Sequence, residues 1–229
     1  MNVSVIIPAL NEEKAIGKVI RDVPKDFVNQ IIVVDNGSSD NTSTVAQEAG
    51  ARVIREKRKG YGAACLSGLK ALDNCDIVVF LDGDYSDHPE EMPRLVSPII
   101  NEKADLVIGS RLLGSRSKGA LPPHSIFGNW LAAKLLRLFY GLKLSDLGPF
   151  RAVKADVLKT LRLKNQTYGF PIETITKAAA KKFRILEVPV SYRKRIGKSK
   201  ISGTIKGSFL AAYHIVFTIF RHALVKNGF

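Results

Sequence analysis

Asp82-Gly83-Asp84 brings together two carboxylates one residue apart, with a glycine between them that imposes no side chain on the turn. Such a pair can approach one hard cation, and Mg²⁺ or Mn²⁺ held by one or two carboxylates completes its shell with substrate phosphate oxygens. The chemistry this suits is departure of a diphosphate, whose growing charge the cation offsets. A second acid, Asp35, ends the run Gln30–Asp35 in the same way that Asp82 ends Ile77–Asp82. An Asp-x-Asp on an ordinary surface loop carries little information; one at the end of a buried strand carries much more.

The elements that must position these acids are readable from periodicity. Val3–Pro8, Gln30–Asp35, Arg52–Arg55, Ile77–Asp82 and Leu106–Gly109 are short apolar runs rich in Val and Ile, the pattern of parallel strands covered on both faces. Helices are predicted near Glu12, after Ser39-Asp40-Asn41 as far as Gly50, over Tyr61–Leu72 and from Pro89. Alternating strands and helices give an α/β fold with a doubly wound, mostly parallel sheet and helices on both faces. In such sheets ligands bind beyond the carboxyl ends of the strands, which is where Asp35 and Asp82 stand.

Residues 111–125 read as a mobile Gly/Ser/Pro/Arg loop, Trp130–Tyr140 as a helix and Asp146–Ala152 as an irregular return to the sheet. A helix over Pro171–Lys182, a strand over Arg184–Val190 and a basic loop over Lys194–Gly203 follow. The chain divides at 204/205 into one large domain, 1–204, and a C-terminal amphipathic helix, 205–229. In that helix Phe209, Tyr213, Val216, Phe217, Phe220 and Leu224 share one face, and His214, Thr218, Arg221 and His222 line the other. Its uncharged run is too short to span a bilayer, which takes about 20 residues. It suits either a membrane interface or the core.

Charge is divided unevenly. Residues 1–110 hold 12 Lys and Arg against 17 Asp and Glu, whereas residues 111–229 hold 23 against 4, a net +19. Part of this is solvated surface, but the second half also suits an anionic partner. A nucleic-acid module is disfavoured, because no interleaved aromatics or known motif accompany the charge. The other motif readings are weak. No GxxxxGK[ST] run occurs, the Gly60, Gly62, Gly68 spacing departs from a dinucleotide fingerprint, and the histidines at 88, 124, 214 and 222 form no ligand set. Those glycines suit a close backbone approach to a base or phosphate, or a tight turn. Cys65 and Cys75 match no zinc pattern and suit a reducing compartment. Met1 leads straight into strand pattern, so no secretory signal is read.

The segments VSVIIPALNEE, IIVVDNGSSDNT, KGYGAACLSGL, VVFLDGDYSDHPEE, DLVIGSR, SDLGPFRAV, YGFPIETITKA and EVPVSYRKRIGKSKISG occur in this order along most of the chain. Jointly they resemble the inverting family-two glycosyltransferases of GT-A fold, most closely the dolichyl-phosphate mannose or glucose synthase branch. The resemblance implies that Pro8, Leu10 and Glu12 line the nucleotide and that Val33 and Asp35 take base and ribose. It makes Asp82, Gly83 and Asp84 the motif for Mg²⁺ or Mn²⁺ and diphosphate. Arg111 falls near the phosphates, and Lys194 and Lys200 fall in a loop closing over donor and acceptor. Leu10 replaces a common aromatic, Ser86 stands where a glutamine serves as third metal ligand, and Lys194 replaces an arginine and its bidentate fork, which the flanking Arg193 and Arg195 could supply instead. The transmembrane helices of many relatives are absent from this sequence.

The reaction implied is hexose transfer from a nucleotide-diphosphate sugar, of UDP-glucose or GDP-mannose type, to a polyprenyl or dolichyl phosphate. Arg111, Arg151, Lys194 and Lys200 would then hold two sets of phosphates together. A hydroxyl acceptor in glycan synthesis would instead need a carboxylate base. Asp146 and Glu173 are the candidates, with the resemblance favouring Asp146 beside the reacting centre. Glu187 reads as structural and Asp156 as a helix cap. Nucleotidyl transfer is a more distant alternative, since PALNEE occupies the place of its glycine-rich arginine loop. The expected location is the cytoplasmic face of a membrane, held peripherally, and a homo-oligomer is compatible with the sequence.

Overall fold

A computed structural model describes residues 1–197 and 215–223. Seven strands form one sheet: β1 (Val3–Ala9), β2 (Gln30–Asp35), β3 (Arg52–Arg55), β4 (Ile77–Phe80), β5 (Leu106–Ser110), β6 (Arg151–Lys154) and β7 (Ile185–Pro189). Their spatial order is β3-β2-β1-β4-β6-β5-β7, parallel throughout except for β6, which runs antiparallel to both neighbours. The expected doubly wound, mostly parallel sheet is therefore observed.

Helices cover both faces, and the period-2 alternation of the strands assigns each side chain to one of two cores. Val5 and Ile7 of β1 with Val79 of β4 pack under α1 (Ile16–Asp22), α2 (Thr42–Glu48) and α4 (Met92–Ile100). Ile6, Val78 and Phe80 face the other way, under α3 (Tyr61–Lys70), α5 (Pro123–Tyr140), α6 (Ala155–Leu161) and α7 (Phe170–Ala180). A 3₁₀ turn, Pro89–Glu91, leads into α4.

Two boundaries differ from the sequence reading. α5 starts at Pro123, within the expected loop, because the Pro122-Pro123 pair supplies a favoured first-turn proline. The seven-residue α6 follows β6 without a linker and was signalled only by Asp156, which lies in its first turn. The 204/205 division and Lys200 lie outside the described residues. Within 215–223 the chain is helical, as expected. Thr218, Ile219 and Ala223 face inward, the Thr176 hydroxyl lies 2.7 Å from His222 Nδ1, and the Tyr140 hydroxyl donates to the Ile219 carbonyl at 3.1 Å. Part of the expected polar stripe, Thr218 and His222, thus meets α7, Ile219 meets α5, and Phe217 and Phe220 stay half-exposed.

Candidate active site

The carboxyl ends of β1, β2 and β4 lie side by side, with Ala9 opposite Asp35 and Ile6 opposite Phe80 in register. Beyond β4 the chain turns through Asp82–Asp87. The tight bend is at Tyr85, whose φ of 65° is rare for a side chain this size. Gly83 keeps negative φ, and a Cβ there would meet Pro8 O at 3.4 Å, an ordinary contact. Tyr85 is held by its hydroxyl donating to Asp22 at 2.7 Å and by the Arg193 guanidinium stacked 3.5 Å from its ring centre.

Three carboxylates are set by this turn. Asp84 Oδ1 accepts the backbone N–H and hydroxyl of Ser86, at 2.9 and 2.5 Å. Ser86, 1% exposed, thereby fixes one oxygen of the Asp84 carboxylate and stands directly beside it. Asp82 is half-buried beside Asp84, and burial followed by the Asp84 charge pushes its pKa upward against the pull of Arg111, Arg195 and Arg151. Asp87, not singled out in the sequence, is 1% exposed with no hydrogen-bond partner for either carboxylate oxygen. Burial, then Asp82 and Asp84, raise its pKa far above the ordinary range.

A basic strap crosses this turn. Arg193 and Ile196 donate their backbone N–H groups to the Ser86 and Asp84 carbonyls, each at 2.9 Å. The Arg193 guanidinium donates to the carbonyls of Tyr85 at 2.8 Å and Asp87 at 3.0 Å, so every carbonyl from Asp84 to Asp87 is engaged. Arg195 spans two acids, with Nη1 3.0 Å from Asp84 Oδ2 and Nη2 2.9 Å from Glu12 Oε1. Lys194, between these arginines, is exposed and points to Gly119. The side chains reaching the acid turn are therefore Arg193 and Arg195, whose alternation in the strap was the one available signal.

Asp35 is buried at the end of β2, where burial raises its pKa but hydrogen bonds from Ser43 and Ser38 outweigh that and leave it lowered. Pro8 is the penultimate residue of β1, Leu10 and Glu12 lie in the β1–α1 loop that follows, and Glu12 is anchored by donating its N–H to the Thr42 hydroxyl at 2.8 Å. Val33 is different: its side chain is wholly buried in the α1/α2/α4 core, so it offers a ligand no side-chain surface. Asn36, missed in the sequence, ties the β3–α3 loop by donating to the Glu56 and Arg58 carbonyls and accepting from Gly60 N–H.

The remaining candidates are held by the protein itself. Arg111 follows β5 and grips Asp146 through Nε at 2.7 Å, Nη2 at 2.8 Å and its own N–H at 2.9 Å. Asp146 is 0% exposed, and Glu187 orients it by accepting its N–H, in keeping with a structural Glu187. The geometry gives Asp146 the task of positioning Arg111. Arg151, on β6, is 1% exposed and donates to the carbonyls of Leu147, Gly148, Pro149 and Pro171, which fixes the turn after Asp146 and leaves no route to a solvent phosphate. Glu173 lies away from the acid turn, accepting the N–H groups of Lys164 and Asn165 and the Lys177 ammonium at 2.7 Å. The loop it fixes presses on Gly60 and Gly62, so those glycines admit Asn165 and Gln166 backbone of the same chain.

A divalent cation fits the acid turn in one respect: the Arg195 guanidinium already rests on Asp84 as a stand-in positive charge. Among the described residues no three acidic, histidine or cysteine side chains converge into a closed cage. Such an ion would thus depend on substrate oxygens for the rest of its shell.

The chain as a whole is similar to known proteins. A family profile described as "Glycosyl transferase family 2" matches residues 4–162. An uncharacterized glycosyltransferase of Mycobacterium bovis is 36% identical over 91% of this chain and 94% of its own. An undecaprenyl-phosphate mannosyltransferase of Micrococcus luteus is 32% identical over 90% of each chain. Glucosyl-3-phosphoglycerate synthase of Mycobacterium tuberculosis, solved with Mn²⁺, UDP and phosphoglyceric acid, superimposes with a TM-score of 0.78 at 26% identity, covering 97% of this chain and 78% of that one.

Proposed function

The chain belongs to glycosyltransferase family 2, and on that premise we propose that it transfers a hexose, with inversion, from a nucleotide-diphosphate sugar to a polyprenyl phosphate, using Mg²⁺ or Mn²⁺. The observation that carries the acceptor class is the occupation of both candidate bases. Asp146 is locked to Arg111 and Glu173 to backbone N–H groups and Lys177, so neither stands ready to deprotonate a hydroxyl. A phosphate acceptor is already anionic and needs no base.

In this reading Pro8, Leu10, Glu12 and Asp35 border the nucleotide, and Asp82 and Asp84 hold the cation. When bound, that cation supplies positive charge against the leaving diphosphate. Arg195, freed from Asp84, and Arg111, fixed by Asp146, stabilise the same charge as an acceptor oxygen displaces the nucleotide diphosphate in line from the anomeric carbon. Lys194 and Lys200 sit in the segment that would close on the acceptor phosphate. The Micrococcus relative's polyprenyl-phosphate acceptor supports the lipid class. The net +19 of residues 111–229 supports a peripheral position at the cytoplasmic membrane face. A second reading, a small soluble acid as acceptor, is favoured by the synthase bound to phosphoglyceric acid.

The test is a product screen with UDP-glucose and GDP-mannose against undecaprenyl phosphate and phosphoglyceric acid. The expected product is a lipid-linked sugar of inverted anomeric configuration, formed with Mn²⁺ and lost in Asp84→Ala. Full activity in excess EDTA overturns the metal assignment, and transfer to phosphoglyceric acid alone overturns the lipid acceptor.

A further inference from the structure

α5 packs on the core through Ala132 and Leu136, and its opposite face reverses what a surface helix normally shows. Ile126, Phe127, Trp130 and Leu138 are exposed there, by 37, 62, 50 and 74%. The Phe127 and Trp130 rings stack with centroids 5.7 Å apart, and Lys134 Nζ lies 5.2 Å from the Trp130 ring. Arg137, also exposed, follows on the next turn. On the core-facing side of α5, Phe139 packs edge-to-face against the half-exposed Phe220 of helix 215–223 at 5.1 Å.

We propose that this face of α5 docks on an anionic lipid bilayer, with Phe127 and Trp130 seated among the headgroups and Lys134 and Arg137 reaching lipid phosphates. The charge of the segment selects this occupant. No Asp or Glu occurs from Leu106 to Ser145, whereas Arg116, Lys118, Lys134, Arg137 and Lys143 do. A protein interface ordinarily has a rim of both signs; an aromatic face whose own segment carries cations and no acid complements a surface that is apolar beneath and negative above. None of the described helices is long and apolar enough to cross a membrane, so α5 would lie flat. The loop before α5 also forms a wall of the site, since Ser117 N–H donates to the Tyr192 carbonyl at 2.9 Å beside the basic strap. Docking would bring that wall to the bilayer; this catalytic consequence rests on the lipid-acceptor reading, whereas the docking itself does not.

Trp130 is the only tryptophan in the sequence, so its emission reports this face alone. Vesicles containing phosphatidylglycerol are expected to shift that emission to the blue and, with brominated acyl chains, to quench it; pure phosphatidylcholine vesicles should do far less. Phe127→Ser with Lys134→Glu is expected to weaken vesicle binding by about tenfold or more, while turnover on a short-chain, water-soluble polyprenyl phosphate persists. Emission unchanged by anionic vesicles overturns the proposal, even if the protein co-sediments through another surface. A blue shift that tracks protein concentration without lipid, with a dimer in sedimentation velocity, overturns it in favour of a second copy of the chain. If polyprenyl phosphates prove not to be acceptors while Trp130 still enters anionic vesicles, the docking surface stands and the acceptor reading falls.

Discussion

At the scale of single residues, the Arg111–Asp146 pair gives the sharpest expectation. Burial alone would raise the Asp146 pKa, but the Arg111 charge and its hydrogen bonds outweigh that and hold it below the ordinary value. A carboxylate depressed in the folded state contributes stability that is present above its unfolded pKa, about 4, and lost as pH falls through the folded value. Asp146→Asn removes one partner of a buried pair, a change that costs about 3–5 kcal/mol of folding free energy. Urea unfolding as a function of pH checks both points: the variant should be less stable at pH 7, and its stability should fall less on acidification. Turnover should drop more than donor affinity, because Arg111 loses its fixed orientation. A variant as stable as the wild type but inactive would restore Asp146 to the role of base.

At the scale of elements, the contact between α3 and the loop after α6 is the most exacting. A Cβ on Gly62 would lie 2.2 Å from Asn165 O, so Gly62→Ala forces two backbones apart. A loss of about 1–3 kcal/mol is expected, as for other overpacking, and thermal denaturation would show it. Glu173→Gln loosens the same loop from the other side; its melting temperature should fall while kcat, measured well below that temperature, stays near the wild-type value. The strands were legible because runs such as IIVV and IVVF are buried on both faces, and Asp82 and Asp84 because they end one of them. The strap was not, since Arg193 reaches Tyr85 across 108 residues and nothing local announces that pairing. Val33 stands near the site along the motif, but period-2 alternation turns its side chain into the core. α6 was too short to show a helical period, and Arg151 read as a phosphate ligand because charge says nothing of burial.

At the scale of the whole molecule, the acidic first half and basic second half partly answer one another. Asp22, Asp84, Asp105 and Glu12 from the first half meet Arg193, Arg195, Arg184 and Lys154 from the second. Some of the charge asymmetry is therefore spent inside the fold, and what remains is gathered on segments such as 111–143. The Arg195 bridge has a consequence for the order in which ligands arrive. A bare ion must compete with a tethered guanidinium for Asp84, whereas a nucleotide diphosphate offers that guanidinium somewhere else to go. Ion and nucleotide should accordingly bind with positive cooperativity, and the resting protein should draw little manganese from its surroundings. Electron paramagnetic resonance titration of Mn²⁺ would register this as weak binding alone and tighter binding with UDP. In Arg195→Met the ion alone should bind more tightly than to the wild type, and the gain from adding nucleotide should shrink.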